Sequence, residues 1–214
     1  MNKFLFLLMA ILTTSFSARA YNFEYNGVYY NITSSTNMTV EVTYYSQSNN
    51  NYSGIVTIPN SVTYNGKNYI VTSIGNYAFV GCTSFQGLNI TAKNLTTIGN
   101  YAFAGCNSIT EFIFNKKITS VGNYAFNGCY SLSDITFEST TSTIFLGYGS
   151  SQGKAHGLFE DCPLEHVVID RPLDYYIDSS YGFSPFANQD YLSDIELGIM
   201  LQAFHAIYFM ATPL

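Results

Sequence analysis

A six-residue motif recurs three times in this chain at nearly constant spacing. The copies Ile74–Phe79, Ile98–Phe103 and Val121–Phe126 read Ile/Val-Gly-Asn-Tyr-Ala-Phe, and each is followed by x-Gly-Cys. Their first residues lie 24 and 23 positions apart. Self-similarity at such a period is typical of repeat proteins whose units stack side by side. The sequence therefore predicts a solenoid, and function is expected on a surface built by the stack rather than in a catalytic pocket.

The repeat continues past the motif as a pattern of apolar residues. Counted from the motif phenylalanine, apolar side chains recur at about +6, +9 and +11, and the pattern returns, less regularly, after Phe159 and Phe186. Stretches such as Glu111–Asn115 alternate apolar and polar residues, which predicts a strand with one buried face. Because equivalent strands of neighbouring units would pair side by side, the predicted fold class is a mainly β repeat solenoid with a parallel sheet and about five units. The positions in this register are Phe85, Leu88, Ile90, Ile109, Phe112, Phe114, Leu132, Ile135, Phe137, Leu164, Val167, Ile169, Leu192, Ile195 and Leu197.

These residues resemble the BspA-type leucine-rich repeat, also called the Treponema pallidum class, whose units read I-G-x-x-A-F-x-x-C-x-x-L-x-x-[IVL]-x-[IVLF]. The resemblance covers about Ile74 to Leu197 and departs from the pattern in the last two units. The fourth unit, Leu158–Cys162, lacks the Ile-Gly opening, and in the fifth unit Gln189 stands where cysteine is expected. The resemblance implies a leucine-rich-repeat-like sheet and a secreted or surface-exposed protein that mediates adhesion or protein–protein interaction.

The amino terminus has the features of an export signal. Lys3 precedes an apolar run over 4–12, and Ala18 and Ala20 are small residues at the positions that a signal peptidase reads. The run is too short to span a bilayer comfortably. We therefore expect residues 1–20 to be a signal peptide cleaved after Ala20, a secreted or cell-surface protein, and no stable transmembrane span.

Residues 21–70 are predicted to form a β-rich cap on a solenoid that occupies 71–198. Asn26-Gly27 and Asn65-Gly66 each lie between apolar or aromatic segments, which is the strongest short signal for a β-hairpin. A solenoid exposes its first apolar layer unless another segment covers it, so this N-terminal β-hairpin cap has a structural reason to exist. An independent carbohydrate-binding module is the alternative interpretation of the same segment.

Two further segments depart from the repeat. Residues 139–157 are rich in Ser, Thr and Gly and are interpreted as an insertion that loops out from one face. Residues 199–214 form an atypical apolar tail. A terminal cap helix, a buried strand-like tail and a truncated or shifted reading frame all remain open for that tail.

Charge composition limits the kinds of partner. The chain has a net charge of −6, which becomes −8 when the two positive charges of Lys3 and Arg19 leave with the signal peptide. Binding to a phosphate backbone requires clustered Lys and Arg, so nucleic acid is not expected as a partner. The charge favours basic proteins, cations or neutral glycans. Extracellular or host-surface proteins are the expected partners, and glycan is a possible one.

Four cysteines share one register and are expected to stack in a column. Neighbours one strand apart are within disulfide reach for their Cα atoms, and export would permit oxidation. Parallel side chains in a column nevertheless have poor geometry for bridging, so buried thiols are favoured over disulfides. A metal site is disfavoured because the spacing of Cys and His does not match a known ligand pattern, and no cofactor is expected. The residues are Cys82, Cys106, Cys129 and Cys162.

Catalysis finds little support in the sequence. His156, His166 and His205 are the three histidines, and their spacing does not match a metal-binding pair on a helix. Nucleophilic and paired-carboxylate sites need side chains that converge in space, which a repeat face rarely provides. The chain is therefore predicted not to be an enzyme.

Acidic residues are concentrated at the strand positions that should point outward. Counted from each motif phenylalanine, these are positions +8, +10 and +12, and six of their fifteen residues are acidic in a chain with 14 acids. Polar residues that merely block stray edge pairing are one interpretation. A face that receives a basic protein segment or a divalent cation is the other. The candidate binding face is Glu111, Asp134, Thr136, Glu138, His166, Asp170, Asp194 and Glu196.

The motif tyrosines Tyr77, Tyr101 and Tyr124 are a rival binding patch on the return side of each unit. Tyrosine suits interfaces because it joins a rigid apolar ring to a polar tip. Packing between units explains the same residues equally well. A purely structural cell-surface component and a carbohydrate-binding accessory module remain alternatives to a protein-binding function.

Overall fold

The computed structural model describes residues 20–46, 50–147, 158–175, 185–186 and 189–198. The predicted signal peptide (apart from Ala20), residues 148–157 of the insertion, and the tail 199–214 lie outside the described residues. The described residues contain fifteen strands and no helix, so in that part of the chain no helix could cross a membrane. The strands are β1 (Phe23–Tyr25), β2 (Val28–Ser34), β3 (Thr39–Thr43), β4 (Gly54–Ile58), β5 (Ser61–Tyr64), β6 (Lys67–Ile74), β7 (Phe85–Ile90), β8 (Thr97–Ile98), β9 (Glu111–Phe114), β10 (Ser120–Val121), β11 (Asp134–Phe137), β12 (Ile144–Leu146), β13 (His166–Ile169), β14 (Leu173–Tyr175) and β15 (Asp194–Leu197).

The closing strands of successive repeats form one wall of a solenoid, as predicted. β9, β11, β13 and β15 pair in parallel in the order β15-β13-β11-β9. The pairing has no register shift, so Phe112 lies beside Ile135, which lies beside Val167. These three side chains face the interior and are at most 5% exposed. β4 and β7 form a separate parallel pair next to this sheet.

A second wall carries the chain back. In it β6, β8, β10, β12 and β14 pair in parallel, each one coil from the next. Ile98, Val121 and Leu146 lie side by side in this wall and are buried. Each coil therefore contributes one strand to each wall, and the two walls enclose the core.

A ladder of phenylalanine rings fills the space between the walls. Phe79, Phe103, Phe126 and Phe159 are fully buried, and successive ring centroids lie 5.2, 5.1 and 5.5 Å apart. Burial of one such side chain stabilises the fold by roughly 2–3 kcal/mol. A coil taken alone would leave both faces of its ring in water, so the units are stable only as a stack.

The Gly-Asn pair of the motif joins one coil to the next. The amide of Asn100 donates to Oδ1 of Asn76 at 2.7 Å, and the amide of Asn123 donates to Oδ1 of Asn100 at 2.8 Å. A Cβ atom added to Gly99 would lie 2.6 Å from the amide nitrogen of Asn76. Glycine is therefore required there because the backbones of adjacent coils nearly touch.

Both Asn-Gly dipeptides form the predicted hairpin turns. Asn26 and Gly27 connect β1 to β2, Asn65 and Gly66 connect β5 to β6, and all four residues have positive φ. The first hairpin extends through β3, which pairs in parallel with β6 and so joins the cap to the return wall. Within the segment assigned to the cap, β4 is a repeat strand: it pairs with β7.

The fourth unit does begin with a dipeptide equivalent to Ile-Gly, which the sequence pattern did not identify. Leu146 lies beside Val121 in the return wall, and a Cβ atom on Gly147 would lie 2.5 Å from the carbonyl carbon of Gly122. Gly147 thus takes the place that Gly99 and Gly122 take in earlier coils. The motif is hard to see because the residues after Gly147 separate it from Leu158. Residues 144–147 of the predicted insertion consequently belong to the solenoid wall.

Gln189 replaces the cysteine of the fifth unit and makes an equivalent hydrogen bond. The thiols of Cys106, Cys129 and Cys162 donate to the carbonyl of the preceding motif phenylalanine at 3.0, 3.1 and 3.2 Å. Gln189 Nε2 donates to the carbonyl of Phe159 at 2.8 Å. The register of the stack is therefore kept although the residue type changes.

Candidate protein-binding face

Four side chains of the predicted binding face lie in one lateral row. Glu111, Asp134, His166 and Asp194 are direct neighbours on β9, β11, β13 and β15. Glu111, Asp134 and Asp194 are exposed, and His166 Nδ1 lies 2.8 Å from Oδ2 of Asp194. The row thus presents three exposed carboxylates. Asp194 is paired with the imidazole, Asp134 accepts a hydrogen bond from the hydroxyl of Ser133, and Glu111 faces water.

The remaining members of the predicted face differ in how they are presented. Thr136 is partly exposed and Glu196 is exposed, two strands apart at the same level. Glu138 is exposed, and its Oε2 accepts from the amide of Lys116 at 2.9 Å. Asp170 is half-buried, and its buried Oδ1 has no hydrogen-bond partner among the described residues. The structure therefore brings the eight residues onto one wall, with Asp170 the least accessible of the carboxylates.

A slot interrupts the wall beside Glu111. β7 and β9 come from consecutive coils, yet they do not pair with each other and belong to different sheets. The space between them has a volume of about 290 Å³. It is lined by Ile55, Gln86, Gly87, Leu88, Ile90, Glu111, Phe112, Ile113, Asn115 and Glu138.

The slot combines apolar surface with negative charge. Ile55 is 70% exposed and Ile113 is 51% exposed, which makes them prominent apolar side chains on this wall. Glu111 and Glu138 contribute carboxylates to the same space. An apolar centre with charged groups around it is the usual composition of a protein-binding surface. The slot and the acidic row share Glu111, so they form one continuous site.

The break in the wall coincides with two irregularities in β7. The register between β4 and β7 shifts between Gly54 and Ile55, which leaves Gln86 without a partner position. Gly87 then adopts φ 150°, a conformation that side-chain-bearing residues rarely take. A bulge increases local twist and redirects a strand, and here β7 follows β4 rather than β9.

A buried arginine supports the far side of this site. Arg171 is fully buried, and it donates from Nη2 and Nε to the carbonyl of Ser142 and from Nη1 to the carbonyl of Asn115. Burial lowers the pKa of Arg171, and the neighbouring Glu138 opposes that shift. Arg171 thereby ties residue 142 of the predicted insertion to the loop after β9.

The motif tyrosines form a stack rather than an open patch. The rings of Tyr77 and Tyr101 are nearly parallel with centroids 5.2 Å apart, and Tyr101 and Tyr124 follow at 4.5 Å. All three residues are half-buried and have positive φ. Their ring faces are mostly used between units, which leaves the acidic face as the stronger candidate.

The four cysteines lie inside the stack. All four are buried and unbridged. Burial raises the pKa of the Cys82 thiol to about 11 and raises that of Cys106 further. The described part of the chain contains no group of Cys, His, Asp and Glu side chains arranged to hold a metal ion. A thiolate is thus disfavoured at neutral pH at Cys82 and Cys106.

Sequence reasoning missed the apolar half of the site. The repeat pattern placed Ile113 at an outward position between acidic residues. It gave no such position for Ile55, which lies in the segment assigned to the cap. The alternation Ile55-Val56-Thr57-Ile58 resembles the closing strand of a repeat and was the signal available. The slot exists because β7 and β9 do not pair, and a periodic sequence pattern cannot predict that two strands fail to pair.

The two-walled stack and its open strand face define a leucine-rich-repeat solenoid. Residues 56–179 match the family described as BspA type Leucine rich repeat region, in 6 copies. This range is more than half of the chain, so the chain belongs to that family. The match begins within β4, in agreement with the pairing of β4 and β7. No curated protein matches the chain.

Solved structures share the fold. A leucine-rich repeat protein from Bacteroides ovatus is 25% identical with a TM-score of 0.61, over 83% of this chain and 41% of that one. The chain thus spans less than half the length of that protein. The Treponema pallidum leucine-rich repeat protein is 16% identical with a TM-score of 0.52, over 86% of this chain and 94% of that one. The second likeness shows the fold alone.

Proposed function

We propose that this chain is an exported, non-catalytic protein-interaction module whose strand face binds a basic segment of an extracellular or host-surface protein. The observation that carries the proposal is the continuity of the acidic row with the slot. Glu111 and Asp134 present two exposed carboxylates side by side, and Ile113 adds exposed apolar surface next to them. Adjacent like charges on neighbouring strands disfavour the sheet by some tenths of a kcal/mol per pair, roughly. A cationic partner would remove that repulsion.

Export is part of the proposal and is supported by the amino-terminal sequence and by the family. Lys3, the apolar run that follows and Ala20 have the order of a signal peptide. Proteins with BspA-type repeats are typically surface-exposed or secreted. The mature chain would then meet its partner outside the cell, where adhesion is the function that such a face supports.

Binding to an array of extracellular-matrix proteins, with a glycan array in parallel, tests this function. We expect protein ligands whose affinity falls as salt rises, because exposed charges are screened. Combined Glu111→Lys and Asp134→Lys should weaken binding at least tenfold. The matched control is Glu24→Lys with Asp174→Lys, which makes the same change in net charge at exposed positions on β1 and β14.

Each outcome of this experiment decides between functions. Loss of binding in the face variant but not in the control supports the proposed face. Equal loss in both variants would show a response to net charge alone and would contradict it. Ligands found on the glycan array and not among the proteins would favour a carbohydrate-binding module. An absence of ligands on both arrays would favour a structural surface component.

A further inference from the structure

The slot lies where β7 and β9 do not pair, although the other repeat strands of this wall do. Every other consecutive pair of described repeat strands is hydrogen-bonded: β4 to β7, β9 to β11, β11 to β13 and β13 to β15. β7 and β9 also make almost no close approach along their length. Each strand therefore has one paired edge and one edge that faces the slot.

Backbone alternation identifies the polar groups on the β7 edge. Successive residues of a strand direct their N–H and C=O groups to opposite sides. The amide of Thr91 donates to the carbonyl of Ile58, so positions 91, 89 and 87 face β4. Leu88 and Ile90 consequently direct their backbone groups into the slot. Among the described strands β7 pairs with β4 alone, so neither residue has a strand partner on that side.

The β9 edge presents the same arrangement from the opposite side. The amide of Glu138 donates to the carbonyl of Phe114, and the amide of Asp134 donates to the carbonyl of Thr110, so even-numbered positions of this strand face β11. Glu111 and Ile113 therefore direct their backbone N–H and C=O groups towards β7. Among the described strands β9 pairs with β11 alone, so these groups have no strand partner on the β7 side. Two strand edges with open hydrogen-bonding positions thus face each other.

One extended chain is the occupant that matches two facing edges. Paired strands lie about 4.8 Å apart, so a strand inserted midway needs its flanking strands about 9.6 Å apart. The observed gap is wider than a paired spacing and holds about 290 Å³. Addition of a peptide strand to exposed sheet edges is an established mode of recognition, in which main-chain bonds give affinity and alternate side chains give specificity.

Side chains around the slot define the sequence that would fit. Leu88, Ile90 and Phe112 lie on the inner side, where an inserted strand would place one set of its alternating side chains. Glu111 and Glu138 lie on the outer side, where the other set would point. The inner set should be apolar and the outer set basic, because these are the complements of the two linings.

We propose that the slot between β7 and β9 takes one extended segment of a partner protein, with apolar and basic residues alternating, as an added strand. This inference rests on the proposed function, since Glu111 belongs to both sites, and it specifies the conformation of the bound segment. Face binding without strand addition would leave the backbone groups of Leu88, Ile90, Glu111 and Ile113 unpaired.

Backbone methylation of a peptide separates the two kinds of binding. The probe is acetyl-Lys-Val-Lys-Val-Lys-amide, and its control is the same peptide N-methylated at two consecutive residues, which blocks both edges but keeps charge and side chains. We expect the probe to slow amide hydrogen exchange at Leu88, Ile90, Glu111 and Ile113 at least tenfold, as followed by NMR. The methylated control should bind at least tenfold more weakly and give no protection.

A protein variant tests the same pairing from the other side. Ile113→Pro removes an N–H that faces the slot and bonds to nothing described, so it should leave the fold intact while blocking one hydrogen bond to the added strand. Ile113→Val keeps the N–H and a similar side chain. We expect the proline variant to lose probe binding at least fivefold relative to the valine variant.

The outcomes distinguish failure of this inference from failure of the proposed function. Equal binding of both peptides, or binding without protection of the four amides, would overturn strand addition and leave face binding in place. Failure of the probe to bind at all would also overturn it. The proposed function would then be judged by the matrix-protein array and the variant Glu111→Lys with Asp134→Lys, which do not require an added strand in the slot.

Discussion

Substitution of two glycines in neighbouring coils tests the close stacking on which the binding face depends. A Cβ atom on Gly122 would lie 2.5 Å from the amide nitrogen and side-chain Oδ1 of Asn100 and 2.6 Å from the carbonyl carbon of Gly99. A Cβ atom on Gly105 would meet nothing closer than the Cα of Gly81 at 3.6 Å, although Gly105 has φ 73°. Alanine at the first position therefore forces coils apart, and at the second it strains only one residue.

The two costs can be estimated separately. Overpacking costs about 1–3 kcal/mol, and Gly122→Ala also disturbs the bonds from Gly122 N to Ile98 O and from Asn123 N to Asn100 Oδ1, both 2.8 Å, at about 1 kcal/mol each. The total is about 3–5 kcal/mol. Gly105→Ala costs about 1–2 kcal/mol because alanine is strained at positive φ. About 0.4–1 kcal/mol of this cost is offset, because alanine lowers the conformational entropy of the unfolded chain.

Urea unfolding followed by far-UV circular dichroism measures the difference. With an m value of about 2 kcal/mol/M, the unfolding midpoint of Gly122→Ala should lie about 0.7–2.5 M lower in urea than that of Gly105→Ala. Equal midpoints, or a lower midpoint for Gly105→Ala, would refute the stacking of coil on coil at this position. In that case the lateral neighbours assigned to the binding face would also be in doubt.

Three further predictions concern side chains that donate to backbone carbonyls. Arg171→Met should lower the free energy of unfolding by about 2–4 kcal/mol, measured in urea, because two carbonyls lose a charged donor; a loss below that of an exposed control, Lys67→Met, would contradict this. Gln189→Ala should cost about 1 kcal/mol and Gln189→Cys less, since the thiol can bond the same carbonyl; equal costs would argue against that equivalence. The raised pKa of Cys82 means that the folded state keeps this proton to higher pH than the unfolded chain, so the contribution of this thiol to stability should be constant below pH 9 and fall between pH 9 and about 11. Urea midpoints across that range should show a shallower fall in Cys82→Ala.

The repeat made most of the fold predictable. Identical residues every 23 or 24 positions must occupy equivalent environments, so one correct assignment of Phe79 as inward fixes its counterparts. Residues one repeat apart were then expected to be neighbours on adjacent strands. Glu111 and His166 are the neighbours of Asp134, as the spacing predicted. The two hairpins were equally predictable because Asn-Gly tolerates positive φ at both central positions.

Prediction was weakest where the chain departs from its own period. The opening at Leu146-Gly147 was hidden because later residues separate it from Leu158. Nothing in the sequence indicated that Arg171 is buried, since a lone cation in a loop is usually exposed. The hydrogen bond that the amide of Lys116 donates to Glu138 Oε2 likewise depends on a turn that the pattern of apolar residues does not describe.

The site arises from irregularity in an otherwise regular stack. Leu95 lies five positions after Ile90, whereas Ile118 lies four positions after Phe114. The extra residue follows Ile90, which lines the slot. A perfectly periodic solenoid would pair every strand and leave only side chains for recognition. Here one unpaired junction adds backbone donors and acceptors to the acidic face. Removal of one residue from 91–94 should therefore let β7 pair with β9, and it should stabilise the solenoid while it weakens binding of an extended basic segment.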